Sequence, residues 1–161
     1  IHSNGFSLVR KVLLERSKLT VESIVPELGG ALGETLLTPT RIYAKQVLTL
    51  TQTCPIKGIA HITGGGITDN LPRVFPAHCG ARIRRGSWPV LPIFQMIQAR
   101  GTVPLEEMYR VFNMGIGLIL VVAPEYVDRV IAEAMALGDR AYHLGEMVAQ
   151  TTDEGVVEYV G

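Results

Sequence analysis

The sequence has no surplus of charge of either sign, because its 15 basic residues balance 15 acidic ones. Proteins that bind nucleic acids usually carry a basic surplus, so the composition argues against that class. The longest strongly apolar run, from Met114 to Pro124, is too short to cross a bilayer, and no signal peptide is visible. We therefore expect neither a nucleic acid nor a membrane as a partner.

Cysteine is also scarce, with only Cys54 and Cys79 in the chain. They form no CxxC pair and no cluster with histidine, which argues against a disulfide scaffold and against a zinc site. The acidic residues are scattered, without a paired-carboxylate motif or metal-ligand spacing. The sequence therefore predicts no metal site in this chain and favours a reducing, cytoplasmic compartment.

What is present is the composition of a packed globular domain, with 161 residues of which 47% are hydrophobic and 19% charged. Apolar periodicity predicts helices and strands that alternate along the chain. The predicted helices begin near Phe6 and cover 44–53, 68–74, 89–100, 104–112 and 126–137. The predicted strands cover 57–63, 81–85, 117–123, 142–149 and 156–160, with 117–123 as a buried central strand. This order indicates an α+β or α/β protein with helices packed on a mixed sheet.

Three consecutive glycines, Gly64, Gly65 and Gly66, follow the predicted strand 57–63. Consecutive glycines let backbone N–H groups point at one place, and a following helix would add positive potential, so such a loop can bind phosphate or carboxylate. Thr63 could add a hydroxyl donor and Arg73 a cation. The loop lacks the lysine of a P-loop and the glycine spacing of a dinucleotide site. The alternative is a tight turn without a ligand.

Two other polar segments allow both a structural and a functional interpretation. Asn113 and Gly115 can form a helix C-cap before a strand, or they can place that backbone against a ligand. His2 and Asn4 can donate hydrogen bonds or move protons, or Ser3 or Asn4 can be a plain N-cap. Strand alternation places His61 beside Ile59, where a half-buried core histidine is expected.

Taken together, these segments resemble one family. The segments are "HSNGFSLVRK", "PTRIY", "AHITGGG" followed by "NLPRVFP", "WPVLPIFQMIQARG" and "EEMYRVFNMGIG", in this order. They resemble the C-terminal domain of the phosphoribosylaminoimidazole synthetases, which are also called phosphoribosylformylglycinamidine cyclo-ligases. The resemblance covers essentially the whole chain. It implies an α+β fold, with a layered mixed or antiparallel sheet flanked by helices, and a single substrate-side domain over 1–161 without the N-terminal ATP-binding domain.

The resemblance also implies an activity for the full-length protein. Family members use ATP and Mg²⁺ to activate the formyl oxygen of formylglycinamidine ribonucleotide. Ring closure then gives aminoimidazole ribonucleotide in de novo purine biosynthesis. The missing domain would hold most of the ATP and Mg²⁺ contacts, so the isolated chain would be inactive, and the full-length protein would be a homodimer. The alternatives are another ATP-dependent member of the superfamily, such as formylglycinamidine ribonucleotide synthetase, or a non-catalytic ligand-binding domain of this fold.

The resemblance assigns roles to individual residues. It makes Gly64, Gly65 and Gly66, with Thr63, a cradle for the ribose 5′-phosphate of the substrate. It makes His2 a proton carrier or oxyanion donor and Asn4 a hydrogen-bond donor near the reacting atoms. The remaining expected contacts to substrate are Arg41, Asn70, Arg73 and Asn113, with Tyr43 and Gly115 beside them.

Overall fold

The computed structural model describes residues 1–2, 4–151 and 155–161, and these residues form two compact units. The first unit consists of Ile1–Arg41, Ile62–Asp69 and Pro89–Gly117. The second unit consists of Ile42–His61, Asn70–Trp88 and Leu118–Gly161. Both units contain helices, and all the sheets are small, which confirms the predicted α+β class.

The helices lie close to their predicted positions, except that the sequence did not predict α2. They are α1 (Phe6–Val9), α2 (Leu32–Leu36), α3 (Ala44–Thr53), α4 (Gly66–Asn70), α5 (Pro92–Gly101), α6 (Leu105–Val111) and α7 (Val127–Ala136). A π-helical segment, Arg10–Arg16, continues α1, and short 3₁₀ segments cover Pro26–Leu28, Leu71–Val74 and Pro124–Tyr126. Prolines open α5 and the 3₁₀ segments, where a missing backbone N–H costs nothing.

Among the described residues, seven strands form three sheets. The strands are β1 (Ile24–Val25), β2 (Gly30–Ala31), β3 (Ile56–His61), β4 (Cys79–Arg84), β5 (Leu118–Val122), β6 (Gly145–Ala149) and β7 (Val157–Val160). β1 and β2 pair antiparallel, as do β3 and β5. In the third sheet β4 is central, antiparallel to β6 and parallel to β7. The sheets are therefore antiparallel or mixed, as predicted.

The core of the first unit is built where α5 packs on the π-helical segment and on α6. The rings of Phe94 and Phe112 lie 5.5 Å apart between their centroids, and both side chains are fully buried. Gly101 lies at the contact with Val12, since a Cβ there would come within 2.8 Å of Val12 Cγ2. This packing fixes the C-terminal end of α6, which carries part of the candidate site.

In the second unit, α3 and α7 cover one face of the β3–β5 pair. Their buried contacts are Leu50, Cys54, Val130 and Ala134, packed against Ile56, Leu120 and Val122 among others. On the other face, Val74 and Val121 lie near Gly58. A Cβ added to Gly58 would be 3.4 Å from the Cγ2 atom of each valine. Burying branched side chains on both faces accounts for the apolar sequence of β5.

Two expectations about this part of the chain were wrong. The sequence predicts a central strand over 117–123, but among the described residues β5 pairs with β3 alone. His61 is exposed rather than half-buried, and its ring packs edge-on to Tyr43 at 6.1 Å between centroids. Alternation correctly separates Ile59 and His61 from the buried Ala60. It could not show which of the two faces is covered.

Candidate functional site

Three of the predicted segments meet in the first unit, and two close glycine contacts hold them together. A Cβ on Gly5 would lie 2.7 Å from Phe112 Cδ1 and 2.9 Å from Val111 Cγ1. A Cβ on Gly66 would overlap the carbonyl oxygen of Tyr109 and lie 2.7 Å from that of Phe112. Residues 2 and 4–5 and the segments 63–68 and 109–115 therefore form one group, which we call the glycine cluster.

The three consecutive glycines differ from one another in the structure. Gly64 is exposed, Gly65 is half-buried and Gly66 is buried. Gly65 and Gly66 have φ angles of 97° and 58°, in the left-handed region that favours glycine. The Gly66 N–H donates to the Thr63 carbonyl over 3.0 Å, so this amide already closes the turn. The Gly65 amide donates to no group among the residues that the structure describes.

Gly66 is held by the end of α6. Its Cα faces the carbonyls of Tyr109 and Phe112, and the Thr68 hydroxyl donates to the Tyr109 carbonyl over 3.4 Å. The last carbonyls of a helix have no partner within the helix, and Thr68 satisfies one of them. Gly66 and Thr68 therefore fix the position of the loop.

Asn4 lies directly beside Gly64, the exposed glycine of the loop. A Cβ on Gly64 would be 3.0 Å from Asn4 Oδ1 and 3.7 Å from its Cγ. The Asn4 amide nitrogen donates to the His2 carbonyl oxygen over 2.9 Å. The atom that Asn4 presents to the loop is therefore its side-chain oxygen, an acceptor, whereas the family resemblance makes Asn4 a donor.

His2 connects the glycine cluster to the "PTRIY" segment. Its Nε2 accepts the backbone N–H of Arg41 over 3.5 Å, and its Nδ1 is buried. His2 has a φ of 53°, an uncommon conformation for a residue with a side chain. The Arg41 side chain is exposed.

Asn113 forms the turn that leaves α6. It is 4% exposed, and its Oδ1 accepts the Gly115 N–H over 3.1 Å, while its own carbonyl accepts the Ile116 N–H over 2.9 Å. Met114 and Gly115, with φ of 51° and 99°, complete the turn. The turn geometry supports the structural interpretation of Asn113 and Gly115, because their contacts serve the backbone.

The other two expected contacts, Asn70 and Arg73, lie in the second unit. Asn70 is 4% exposed at the end of α4, and Arg73 is exposed in the following 3₁₀ segment. The glycine cluster thus contains His2, Asn4, Thr63, Gly64, Gly65, Gly66 and Asn113, and it has Arg41 beside it.

Sequence analysis did not predict the roles of Gly5, Thr68 and the Tyr109 carbonyl in holding the loop. Gly5 has a φ of 77° and passes under the Phe112 ring. The position of Gly5 at the end of "HSNG" could have indicated this role, because a glycine before a helix can adopt a left-handed backbone conformation. The Tyr109 carbonyl leaves no signal in a sequence, because any residue supplies a carbonyl.

The cluster offers neutral polar groups and backbone amides rather than carboxylates. No group of three or more His, Cys, Asp or Glu side chains suited to a metal ion occurs among the described residues. Nor does any helix in the described ranges have the length and apolar character needed to span a membrane. Backbone amides of a glycine loop suit a ligand with an anionic group.

Comparison with known proteins assigns the family. The profile of the family described as AIR synthase related protein, C-terminal domain, matches residues 1–158. The chain belongs to this family. The match contains the whole glycine cluster, the whole first unit and all but the last three residues of the second unit.

Curated relatives of this family match nearly the whole chain. A protein of Brevibacillus brevis named phosphoribosylformylglycinamidine cyclo-ligase is 52% identical over 149 residues, which are 92% of this chain and 43% of the relative. A protein of the same name from Latilactobacillus sakei is 50% identical over 161 residues, 99% of this chain and 46% of the relative. The chain therefore spans less than half the length of these relatives.

A solved structure confirms the fold independently. The hydrogenase maturation protein HypE of E. coli superimposes with a TM-score of 0.59 at 19% sequence identity, over 89% of this chain and 47% of that one. At this identity the likeness concerns the fold alone.

Proposed function

We propose that this chain is the substrate-side part of an ATP-dependent phosphoribosylformylglycinamidine cyclo-ligase. The glycine cluster would bind formylglycinamidine ribonucleotide through its ribose 5′-phosphate. The observation that carries the proposal is the name shared by relatives about half identical to this chain over nearly all of it. The assembly of the three family segments around one loop supports it.

The proposed phosphate contacts are the Gly64 and Gly65 backbones, with the Thr63 hydroxyl. Gly66 has a supporting role, since its amide closes the turn and its Cα lies against α6. Holding the non-reacting end of a substrate positions its reacting end, which can lower a reaction barrier substantially without any chemistry at the contact. His2 and Asn4, on the segment next to the loop, are proposed to face the ribose and the reacting part of the substrate.

The proposal assigns ATP and Mg²⁺ mainly to a region of the relatives that this chain does not match. It follows that the isolated chain binds the ribonucleotide but does not close the imidazole ring. The full-length enzyme is proposed to be a cytoplasmic homodimer in purine biosynthesis, as the family resemblance implies.

A chimeric enzyme tests the proposed activity. This chain replaces the matching 149 residues of the Brevibacillus brevis relative, and ATP-dependent formation of aminoimidazole ribonucleotide is measured. We expect turnover of formylglycinamidine ribonucleotide within about tenfold of the parent, because at 52% identity most contacts are retained. The purified 161-residue chain is expected to give none.

The control is the same replacement with the matching segment of the Latilactobacillus sakei relative. An active control beside a folded, inactive chimera would show that this chain does not serve the cyclo-ligase reaction. Ring closure by the chain alone would contradict the proposal that ATP and Mg²⁺ bind mainly outside this chain.

A further inference from the structure

Asn4 is the only one of the three asparagines in the sequence that precedes a glycine, since Asn70 precedes leucine and Asn113 precedes methionine. Asparagine is a chemically labile residue, and the residue after it governs how fast its carboxamide is lost. A following glycine has no Cβ, so its backbone nitrogen is open to attack the preceding side chain. The Asn4–Gly5 pair is therefore the one in this chain whose covalent structure favours deamidation.

The reaction needs water and no other reagent. The Gly5 nitrogen loses its proton and attacks Cγ of Asn4, which closes a succinimide ring. The Cγ–Nδ2 bond breaks, and Nδ2 takes up a proton and leaves as ammonia. One water molecule then opens the ring at either of its carbonyl carbons, which gives aspartate or isoaspartate at position 4 with a carboxylate in place of the carboxamide.

The structure leaves the attacking nitrogen available. The Gly5 N–H donates to no group among the described residues, so no hydrogen bond has to break before it loses its proton. The Asn4 side chain is half-buried, and in the described part of the chain one hydrogen bond holds it, from Nδ2 to the His2 carbonyl over 2.9 Å. Breaking one such bond slows a reaction by roughly three- to tenfold, which retards ring closure without preventing it.

The other two asparagines are protected by their surroundings. Asn70 and Asn113 are each 4% exposed, so water has little access to them. Oδ1 of Asn113 also accepts the Gly115 N–H over 3.1 Å, which holds its carboxamide in the turn after α6. The structure thus strengthens the difference between Asn4 and the other two that the sequence indicates.

We propose that Asn4 is a site of spontaneous deamidation in the folded chain, and that the product places a carboxylate beside the glycine loop. Oδ1 of Asn4 lies 3.0 Å from the place of a Cβ on Gly64, so the new charge arises next to that residue. The reaction also removes the nitrogen that donates to the His2 carbonyl. It converts a cluster of neutral polar groups into one that carries a negative charge.

This charge has a consequence for an anionic ligand, and here the inference rests on the proposed function, in which the loop holds a phosphate. Like charges a few ångströms apart repel one another even in water, by an amount that corresponds to roughly a fivefold change in Kd. Deamidation of Asn4 would therefore weaken the proposed phosphate site as the protein ages.

Peptide mapping tests the modification on the unaltered chain. The 161-residue chain is incubated at mildly alkaline pH, and its peptides are analysed by mass spectrometry at intervals. We expect the peptide that contains Asn4 to accumulate both aspartate and isoaspartate, while the peptides of Asn70 and Asn113 stay unmodified. Isoaspartate identifies the succinimide route, because direct hydrolysis of the carboxamide gives aspartate alone. The rate should rise with pH, since the deprotonated nitrogen is the attacking group.

Two comparisons make the result decisive. The variant Asn4→Gln keeps a carboxamide but needs a larger and less favourable ring, so it should stop the modification of this peptide. The unaltered chain in urea lacks the contact to the His2 carbonyl, and it should deamidate at Asn4 no more than about tenfold faster than the folded chain. An Asn4 that stays intact in the folded chain while it reacts in urea would overturn the proposal, because the fold would then block ring closure. Equal rates at Asn4 and Asn70 would overturn it as well.

Binding of inorganic phosphate tests the consequence separately. Amide chemical shifts of Gly64 and Gly65 give Kd for the unaltered chain and for Asn4→Asp, which should bind roughly fivefold more weakly. If Asn4→Asp does not fold, the aged chain separated by ion-exchange chromatography takes its place. Equal Kd values would overturn the consequence for ligand binding. Absence of binding by the unaltered chain would overturn the proposed phosphate site and this consequence, and would leave the deamidation site standing.

Discussion

The Cα of Gly66 faces the carbonyl oxygen of Tyr109 so closely that a methyl group on Gly66 would overlap that oxygen. The contact joins the glycine loop to the end of α6 and is made of backbone on both sides. Backbone cannot rotate away as a side chain can, so the loop has one position relative to α6. This contact is why the third glycine of the series serves structure rather than ligand binding.

The variant Gly66→Ala should therefore unfold the first unit or greatly weaken it. The added methyl meets both the Tyr109 carbonyl and an unfavourable φ of 58°, so we expect a loss of more than about 3 kcal/mol in the free energy of unfolding. Urea denaturation followed by circular dichroism measures it. The matched control is Gly29→Ala, with a φ of 73° and no atom within 4 Å of the added carbon.

For Gly29→Ala only the conformational cost applies, which is about 1–2 kcal/mol. A loss at Gly66 no larger than the loss at Gly29 would contradict the close contact with α6.

Replacement of Asn113 distinguishes a turn-forming role from a ligand contact. Asn113→Ala removes the acceptor of the part-buried hydrogen bond from the Gly115 N–H and should cost about 0.5–1.5 kcal/mol of stability. Asn113→Ser keeps a short neutral acceptor oxygen that suits such a turn and should cost less. If Asn113 instead donates its amide to a phosphate, Asn113→Ser should weaken binding of ribose 5-phosphate by about tenfold in an amide NMR titration of the chain.

We expect Asn113→Ser to change that Kd by less than about threefold, which is smaller than the effect of one lost hydrogen bond to a charged group. Stability lost equally in Asn113→Ser and Asn113→Ala would show that Oδ1 does not hold the turn.

In the second unit, Glu133 is expected to titrate below the ordinary glutamate range. The Thr53 hydroxyl and the Arg129 guanidinium donate to its carboxylate, the latter over 2.8 Å, and both contacts lower the pKa of Glu133. A lowered folded-state pKa means that the contacts stabilise the fold above the unfolded pKa. This contribution is lost as the pH falls through the folded pKa.

Carboxyl NMR titration measures this pKa directly, and Thr53→Val should raise it. The control Thr51→Val removes a hydroxyl that donates to the Leu48 carbonyl on the same helix, and it should leave the pKa of Glu133 unchanged. A pKa of Glu133 unmoved by Thr53→Val would contradict the hydrogen bond between α3 and α7.

Local periodicity was enough to predict most of the fold. The helix predicted over 44–53 is α3 at the same two ends, and the helix predicted over 104–112 is α6 within one residue at each end. Pro104 marks the start of α6 through its own backbone preference, which does not depend on distant contacts. Alternation likewise separated the buried Ala60 from its exposed neighbours.

Features that depend on distant residues could not be predicted. The sequence presents Gly64, Gly65 and Gly66 as equivalent, and their different roles arise because only Gly66 meets α6, more than 40 residues later in the chain. The π-helical turn of Arg10–Arg16 has the same apolar spacing as an α-helix would. The orientation of Asn4 depends on one contact to the His2 carbonyl, and no sequence pattern encodes it.

The central claim, that the glycine loop holds the phosphate of the ribonucleotide, is tested most directly by an amide NMR titration of the isotope-labelled chain. Formylglycinamidine ribonucleotide and Mg-ATP are added separately. We expect the ribonucleotide to shift the amides of Gly64 and Gly65 more than that of Gly66, and Mg-ATP to shift these little. Unshifted Gly64 and Gly65 amides at saturating ribonucleotide would contradict the claim and leave the loop as a turn between β3 and α4.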